Sequence, residues 1–375
     1  MHILIAPNAF KNSLSAHDAA EALQKGLQQS GLDCTTECFP IADGGDGTSE
    51  LILKKCNGTL VNVTVNDPLG RPIEASFGLI DNGMTAVIEM ANASGLRLLK
   101  PDELNPLKTT TFGTGQLMKA ALDKGVDKII LAMGGSATVD GGCGILNALG
   151  VQFLDVDGNL LSPSPESLVH LATIDTSKID TRILNTEIVV ICDVDNRLLG
   201  AYGAAAVFGP QKGASPADVE VLEKVLTKIN EVTLEQFGKN MASLQYGGAA
   251  GGSTAGIYAF LNAQLVNGID YFLKLTGFET ALQKADIVIT GEGSIDEQTL
   301  QGKGPFGVAY LAKQLNIAVI GVAGKIPVEH SPELSKYFNK LLNINQEPTD
   351  LPFALKSTEK NLIRTGFCIG NMLNM

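Results

Sequence analysis

Histidine is scarce in this chain. Only His2, His17, His170 and His330 occur, and none lies in a glycine-rich stretch. That weakens histidine-based hydrolysis and transition-metal chemistry as functions. Charge is thin as well: 18% of residues are Asp, Glu, Lys or Arg, below the usual quarter. With 15 prolines, the composition is neither that of collagen nor that of a linker. No apolar run is long enough to span a bilayer. Basic residues never concentrate beyond pairs such as Lys54 and Lys55, so no nucleic-acid-coating surface is expected. The N-terminus, MHILIAPNAF, lacks a basic leader and a cleavage site and reads as a first strand. Six cysteines, Cys34, Cys38, Cys56, Cys143, Cys192 and Cys368, match neither a zinc pattern nor a secreted framework. A reducing, cytoplasmic setting is the plain expectation.

Several catalytic signatures are missing too. The chain has no GxxxxGK[ST] loop, no kinase set of glycine loop, HRD and DFG, and no GxSxG elbow. The first strand is not followed by GxGxxG, which argues against a Rossmann dinucleotide fold. What is abundant is glycine: 41 of 375 residues, against a typical ~7%. Much of the backbone must therefore turn tightly or approach another group closely. Acidic residues outnumber basic ones 40 to 28, for a net charge of -12. That balance favours solubility and leaves local phosphate sites open.

At about 150 residues per domain, the length suggests two domains. Apolar strand patterns occur at 2–6, 34–39, 285–291, 318–324 and 341–345. Helical patterns follow Ser15, precede Lys55, cover 308–315 and close the chain at 356–367. Strands alternating with helices predict a parallel α/β sheet built from the two ends of the chain. The middle reads differently. A period-two run at 61–67, followed by strand patterns at 73–79 and 84–90 with the turn residues DNG between those two, suggests a small antiparallel unit. A helix is expected at 115–122, strands at 128–133 and 187–193, a hairpin across 151–161, and helices at 217–240 and 254–267. The expectation is thus a discontinuous domain, 1–61 with 268–375, interrupted by an inserted α/β domain at 62–267.

Six glycine-rich or polar blocks at strand ends are candidates for chemistry. KNSLS offers Lys11 and Ser13, though a surface lysine and a capping serine are the plainer reading. ADGGDGT offers Gly44 and Gly45 amides and the Asp43 and Asp46 carboxylates, against an ordinary acidic turn. AMGGSATVDGGCG brings Gly135, Ser136, Thr138 and Asp140 to one junction where amides would suit phosphate. CDVDNRLLG places Asp193 and Asn196 after an apolar strand. FGPQKGA carries Lys212 between turn residues. TGEGSIDEQTLQGKG supplies Glu292, Asp296 and Lys303. Carboxylates, lysines and glycine turns without histidine point to Mg²⁺-dependent phosphoryl transfer, which needs positioning and charge neutralisation more than a strong nucleophile.

These blocks, with IAPNAFKNSLSA, NDPLG, IEMANASGL and TTTFGTGQL, resemble the bacterial glycerate kinases of the glucarate and glyoxylate type. The resemblance runs nearly end to end. It implies a cytoplasmic, ATP-dependent enzyme that phosphorylates D-glycerate with Mg²⁺, with the 2-position favoured. It also implies a flavodoxin-like domain carrying an inserted second domain. On this basis Asp193, Lys11, Lys212 and Lys303 are the expected catalytic residues. Ser13, Gly44, Gly45, Gly135, Ser136, Thr138 and Asn196 are expected to bind substrate or phosphate, and Asp43, Asp140, Glu292 and Asp296 to handle metal. The chain departs from the family pattern at Asp46, Val139, Arg197 and Ser294. The rival readings are a kinase of another small hydroxy acid and a glycerate- or nucleotide-sensing protein without turnover. No sequence feature reports an oligomeric interface.

Overall fold

A computed structural model of the chain describes residues 1–327, 332–345 and 350–374; His330 lies outside them. The first unit begins with β1 (His2–Pro7) and β2 (Thr35–Cys38). The second carries β3 (Thr59–Asn66), β4 (Pro72–Ile80), β5 (Thr85–Glu89), β6 (Lys128–Ala132), β7 (Gln152–Leu154), β8 (Thr173–Asp175), β9 (Glu187–Cys192) and β10 (Gln264–Asn267). The chain then returns to the first unit with β11 (Ile287–Ser294), β12 (Ala318–Lys325) and β13 (Lys340–Asn343). Compact packing divides the molecule into Met1–Asp43 with Asn267–Met375, and Gly44–Val266.

In the first unit the strands lie in the order β13-β12-β11-β1-β2. Every neighbouring pair is parallel. Counted along the chain within this sheet alone, the spatial order is 2-1-3-4-5. Ile3, Leu4, Ile5 and Ala6 are completely buried, as an unbroken apolar run requires when both faces of a parallel strand are covered. The helix Ala16–Gln29 is capped by Ser15, whose side chain accepts from the Asp18 amide. It buries Ala19, Ala20, Leu23 and Leu27. Its neighbour in the core is the terminal helix Thr358–Leu373. The strand expected at 285–291 runs on to Ser294, so Glu292 belongs to the sheet itself.

The second unit holds a six-stranded sheet in the order β10-β9-β6-β5-β4-β3. The expected small antiparallel unit is only one edge of it. β3, β4 and β5 are antiparallel, but β5 continues into β6 and β9 by parallel pairing. The 151–161 hairpin also needs correction. Its turn forms, with Asp155 accepting from the Asp157 and Asn159 amides. β7 meets the residues after the turn through the Leu154–Leu160 bridge and the Leu161 amide, which donates to the Phe153 carbonyl, but its ladder partner is β8. The expected helix at 254–267 ends at Leu261, where Asn262 turns left-handed, and Gln264–Asn267 is a strand. The two units part between Asp43 and Gly44, ahead of the expected crossing at 61–62. The reason is local: the helix Thr48–Lys55 packs on β4 and β5.

Candidate active site

In each unit most candidate residues lie at or follow the carboxyl ends of parallel strands, where open α/β sheets bind ligands; Lys212 comes instead from the short turn Pro210–Lys212. In the first unit the organising side chain is Glu292 on β11. It is 9% exposed, and its Oε1 is buried without a hydrogen-bond partner. Burial pushes its carboxyl up to about 8, and the nearby Asp43 and Asp296 charges add to the shift. Lys303 and Lys11 oppose it. The structure therefore brings together five expected residues: Lys11, Asp43, Glu292, Asp296 and Lys303.

Asp43 is oriented by Asn8, whose Nδ2 donates to Asp43 Oδ2 at 2.9 Å. Asn8 is 6% exposed, follows β1 directly, and has its own amide bound to the Gly291 carbonyl. Nothing in the local sequence marks it, since an asparagine after a strand and a proline is an ordinary stop. Asp296 serves locally as a cap: it accepts from the Gln298 amide and from Ser294 Oγ. Ser13 is turned away from this group of residues, because its hydroxyl donates to the Leu355 carbonyl at 2.5 Å.

In the second unit the central side chain is Lys212, only 2% exposed. Its Nζ donates to Ser136 Oγ and to the Thr138 carbonyl, each at 2.7 Å. Burial lowers its pKa to about 7, against the opposing pull of Asp140 and Asp193. A turn lysine is usually a solvent contact, so this burial is informative. Beside it, Thr138 Oγ1 is buried with no partner. Such orphan groups are uncommon and call for an explanation such as a ligand.

Asp140, expected to handle metal, is enclosed by hydrogen-bond donors. It is fully buried and accepts from the Thr111 amide, Thr111 Oγ1 and the Gly142 and Gly144 amides. Both carboxylate oxygens are thereby committed, so Asp140 anchors the 135–144 junction. The glycine-rich 248–252 segment explains itself here. Gly251 has φ +66°, and a Cβ on it would lie 2.0 Å from the Thr138 carbonyl oxygen. Asn196 donates its amide to the Tyr202 carbonyl, and Val139 is core. Arg197 is exposed.

The Gly44 amide is taken up within its own turn rather than left open. The Gly44 amide donates to Thr48 Oγ1, and the Gly45 carbonyl accepts from that hydroxyl. The Gly44 carbonyl accepts from the Gly134 amide at 3.0 Å. Asp46 lies against Gly135, where a Cβ would meet its Oδ1 at 2.2 Å. Arg71 is committed to Asp67 and Glu103.

Buried lysine, orphan hydroxyl, carboxylates and glycine turns at parallel strand ends form the equipment of a phosphotransferase. The chain belongs to the glycerate kinase family, whose model matches residues 3–374. It is 43% identical over 365 residues to a glycerate kinase of Bacillus subtilis, covering 97% of this chain and 96% of that one. It is 41% identical over 348 residues to the glycerate 2-kinase of Escherichia coli, covering 92% and 91% respectively. A solved structure from Salmonella typhimurium LT2 carrying the name glycerate kinase 2 matches with a TM-score of 0.83 and 42% identity, over 100% of this chain and 98% of that one. The protein is accordingly a kinase of mixed α/β fold. Among the described residues, no helix is long and apolar enough to cross a membrane.

Proposed function

We propose that this kinase transfers the γ-phosphoryl group of ATP to the 2-hydroxyl of D-glycerate, giving 2-phosphoglycerate and ADP. The observation that carries the reading is Lys212, a buried ammonium beside the unpartnered Thr138 hydroxyl. A positive charge held in a low-dielectric setting is what the transferring phosphoryl group needs. Lys11 and Lys303 are proposed as further charge donors, and Ser136, Thr138 and Gly135 as phosphate or substrate contacts. Ser13, Asn196, Gly44 and Gly45 act by shaping their turns. Asp193, half-buried and close enough to Lys212 to bias its proton, is proposed to accept the hydroxyl proton of glycerate.

The donor set suits Mg²⁺. Asp43 and Glu292 are hard oxygen ligands at one set of strand ends, and Glu292 Oε1 has no other partner. Among the described residues no three His, Cys, Asp or Glu side chains form a metal cluster. A site of one or two carboxylates completed by water and phosphate oxygens is the usual form for Mg²⁺. Asp43 and Glu292 would hold the ion, with Asp296 adjoining; when bound, it neutralises phosphate charge. Asn8 keeps Asp43 pointed.

We read the first unit as flavodoxin-like, which its 2-1-3-4-5 strand order supports. Gly44–Val266 is then an insertion in that frame. A cytoplasmic workplace suits the six free thiols. The test is ADP release on adding D-glycerate and ATP, with the product assigned by NMR. Glycerate-dependent ADP and 2-phosphoglycerate are expected. ADP release with another hydroxy acid alone, or binding without ADP, overturns the proposal.

A further inference from the structure

The Gly44–Val266 unit buries a second carboxylate that the proposed chemistry does not use. Glu89 closes β5 and is 3% exposed. Its oxygens accept from the Gly47 amide at 3.1 and 3.2 Å, from the Ser49 amide at 3.3 Å and from Ser49 Oγ at 3.1 Å. These donors open the helix Thr48–Lys55. Its N-cap is Gly47, left-handed and without a side chain to cap with. Glu89 therefore supplies from a distant strand the anion that this helix end lacks. Arg97 stands 3.9 Å away on the exposed side, and Asp46 is the nearby like charge.

The 44–49 turn fixed in this way is itself a support. The Gly44 carbonyl accepts from the Gly134 amide, and a Cβ on Gly134 would come within 2.5 Å of Gly45 Cα. The next residues are Gly135, pressed on Asp46, and Ser136, the hydroxyl that Lys212 contacts. Hydrogen bonds and close contacts thus run without a gap from Glu89 to Lys212. We infer that Glu89 is a positioning residue. Its carboxylate clamps the 44–49 turn, the turn fixes the 134–136 backbone, and that backbone sets Ser136 against Lys212. The inference rests on the reading of Lys212 and Ser136 as phosphate-facing groups.

Glu89→Gln and Glu89→Ala, assayed beside the parent, test it. The neutral isostere loses the charge while filling the space; the truncation leaves room for a small carboxylate. We expect kcat to fall at least tenfold in both, with the glycerate KM within threefold of the parent. The Tm of Glu89→Gln should stay within a few degrees of the parent. Sodium formate should raise the kcat of Glu89→Ala at least threefold and leave Glu89→Gln unchanged. Amide hydrogen exchange at 134–136 should quicken in Glu89→Ala and slow again with formate. Parent-like kcat in Glu89→Gln overturns the inference, as does formate that restores Tm without kcat. Unchanged exchange at 134–136 overturns it even if the parent releases no glycerate-dependent ADP, a result that by itself refutes only the kinase reading.

Discussion

Lys212 is buried, yet the proposed chemistry needs its charge, and the two demands can be separated by pH. Its folded pKa of about 7 lies below the ordinary 10.5. Across that window the unfolded chain binds a proton that the folded chain has released, so folding stability rises with pH from about 7 to 10.5. Lys212→Met has no such proton. We expect the parent's Tm, relative to that variant, to climb between pH 7 and pH 10; a flat difference would refute the assigned cause. At neutral pH a bound phosphate favours the charged form. Lys212→Ala should lose more than tenfold in kcat/KM, about 1.4 kcal/mol of transition-state stabilisation.

At the scale of elements, the 135–144 junction depends on Asp140. Truncating it to Ala strands three amides and the Thr111 hydroxyl in a buried place. At roughly 1–3 kcal/mol for each buried orphan, urea unfolding should show a loss above about 3 kcal/mol. Removing the exposed Ser15 cap should cost only ~1 kcal/mol. A loss for Asp140→Ala near that smaller value would restore a ligand role. The same junction shows what local sequence does and does not encode. Most strands of the two sheets were legible because apolar runs bounded by turn residues announce themselves; β10, four residues that follow closely on a helix, reads as part of that helix. The partner of each strand was not: β5 carries the consecutive apolar residues Ala86, Val87 and Ile88 and is buried throughout, and nothing in that run names β6 as its parallel neighbour. Site residues followed the same rule. Glu292 and Lys212 stood out as charges in glycine-rich frames, and Lys11 as a charge in a polar turn after a strand. Asn8 and Glu89 sit at the ends of ordinary apolar strands, and their work is visible only through the distant amides and carboxylates that they hold. Asp140 looked like a metal ligand because half of its donors, the Thr111 amide and hydroxyl, come from a stretch of chain 29 residues away.

At the scale of the whole molecule, each unit has its own apolar cluster. One draws on residues from Val65 to Ala263, the other on residues from both ends of the chain. The continuous unit should therefore fold by itself. Expressed alone, 44–266 is expected to give one cooperative thermal transition; a non-cooperative melt would show that it depends on the rest. The other unit has no such independence, because β1 pairs with β11 through Ile3 and Ile287. That pairing has a cost during synthesis. At ~5–20 residues per second, β1 leaves the ribosome roughly 15–60 s before its partner. For that interval one long edge of an apolar strand is without its mate, a hazard for sticking to other nascent chains. Faster translation or scarcer chaperone is therefore expected to lower the soluble fraction of newly made chain, which pulse labelling would read.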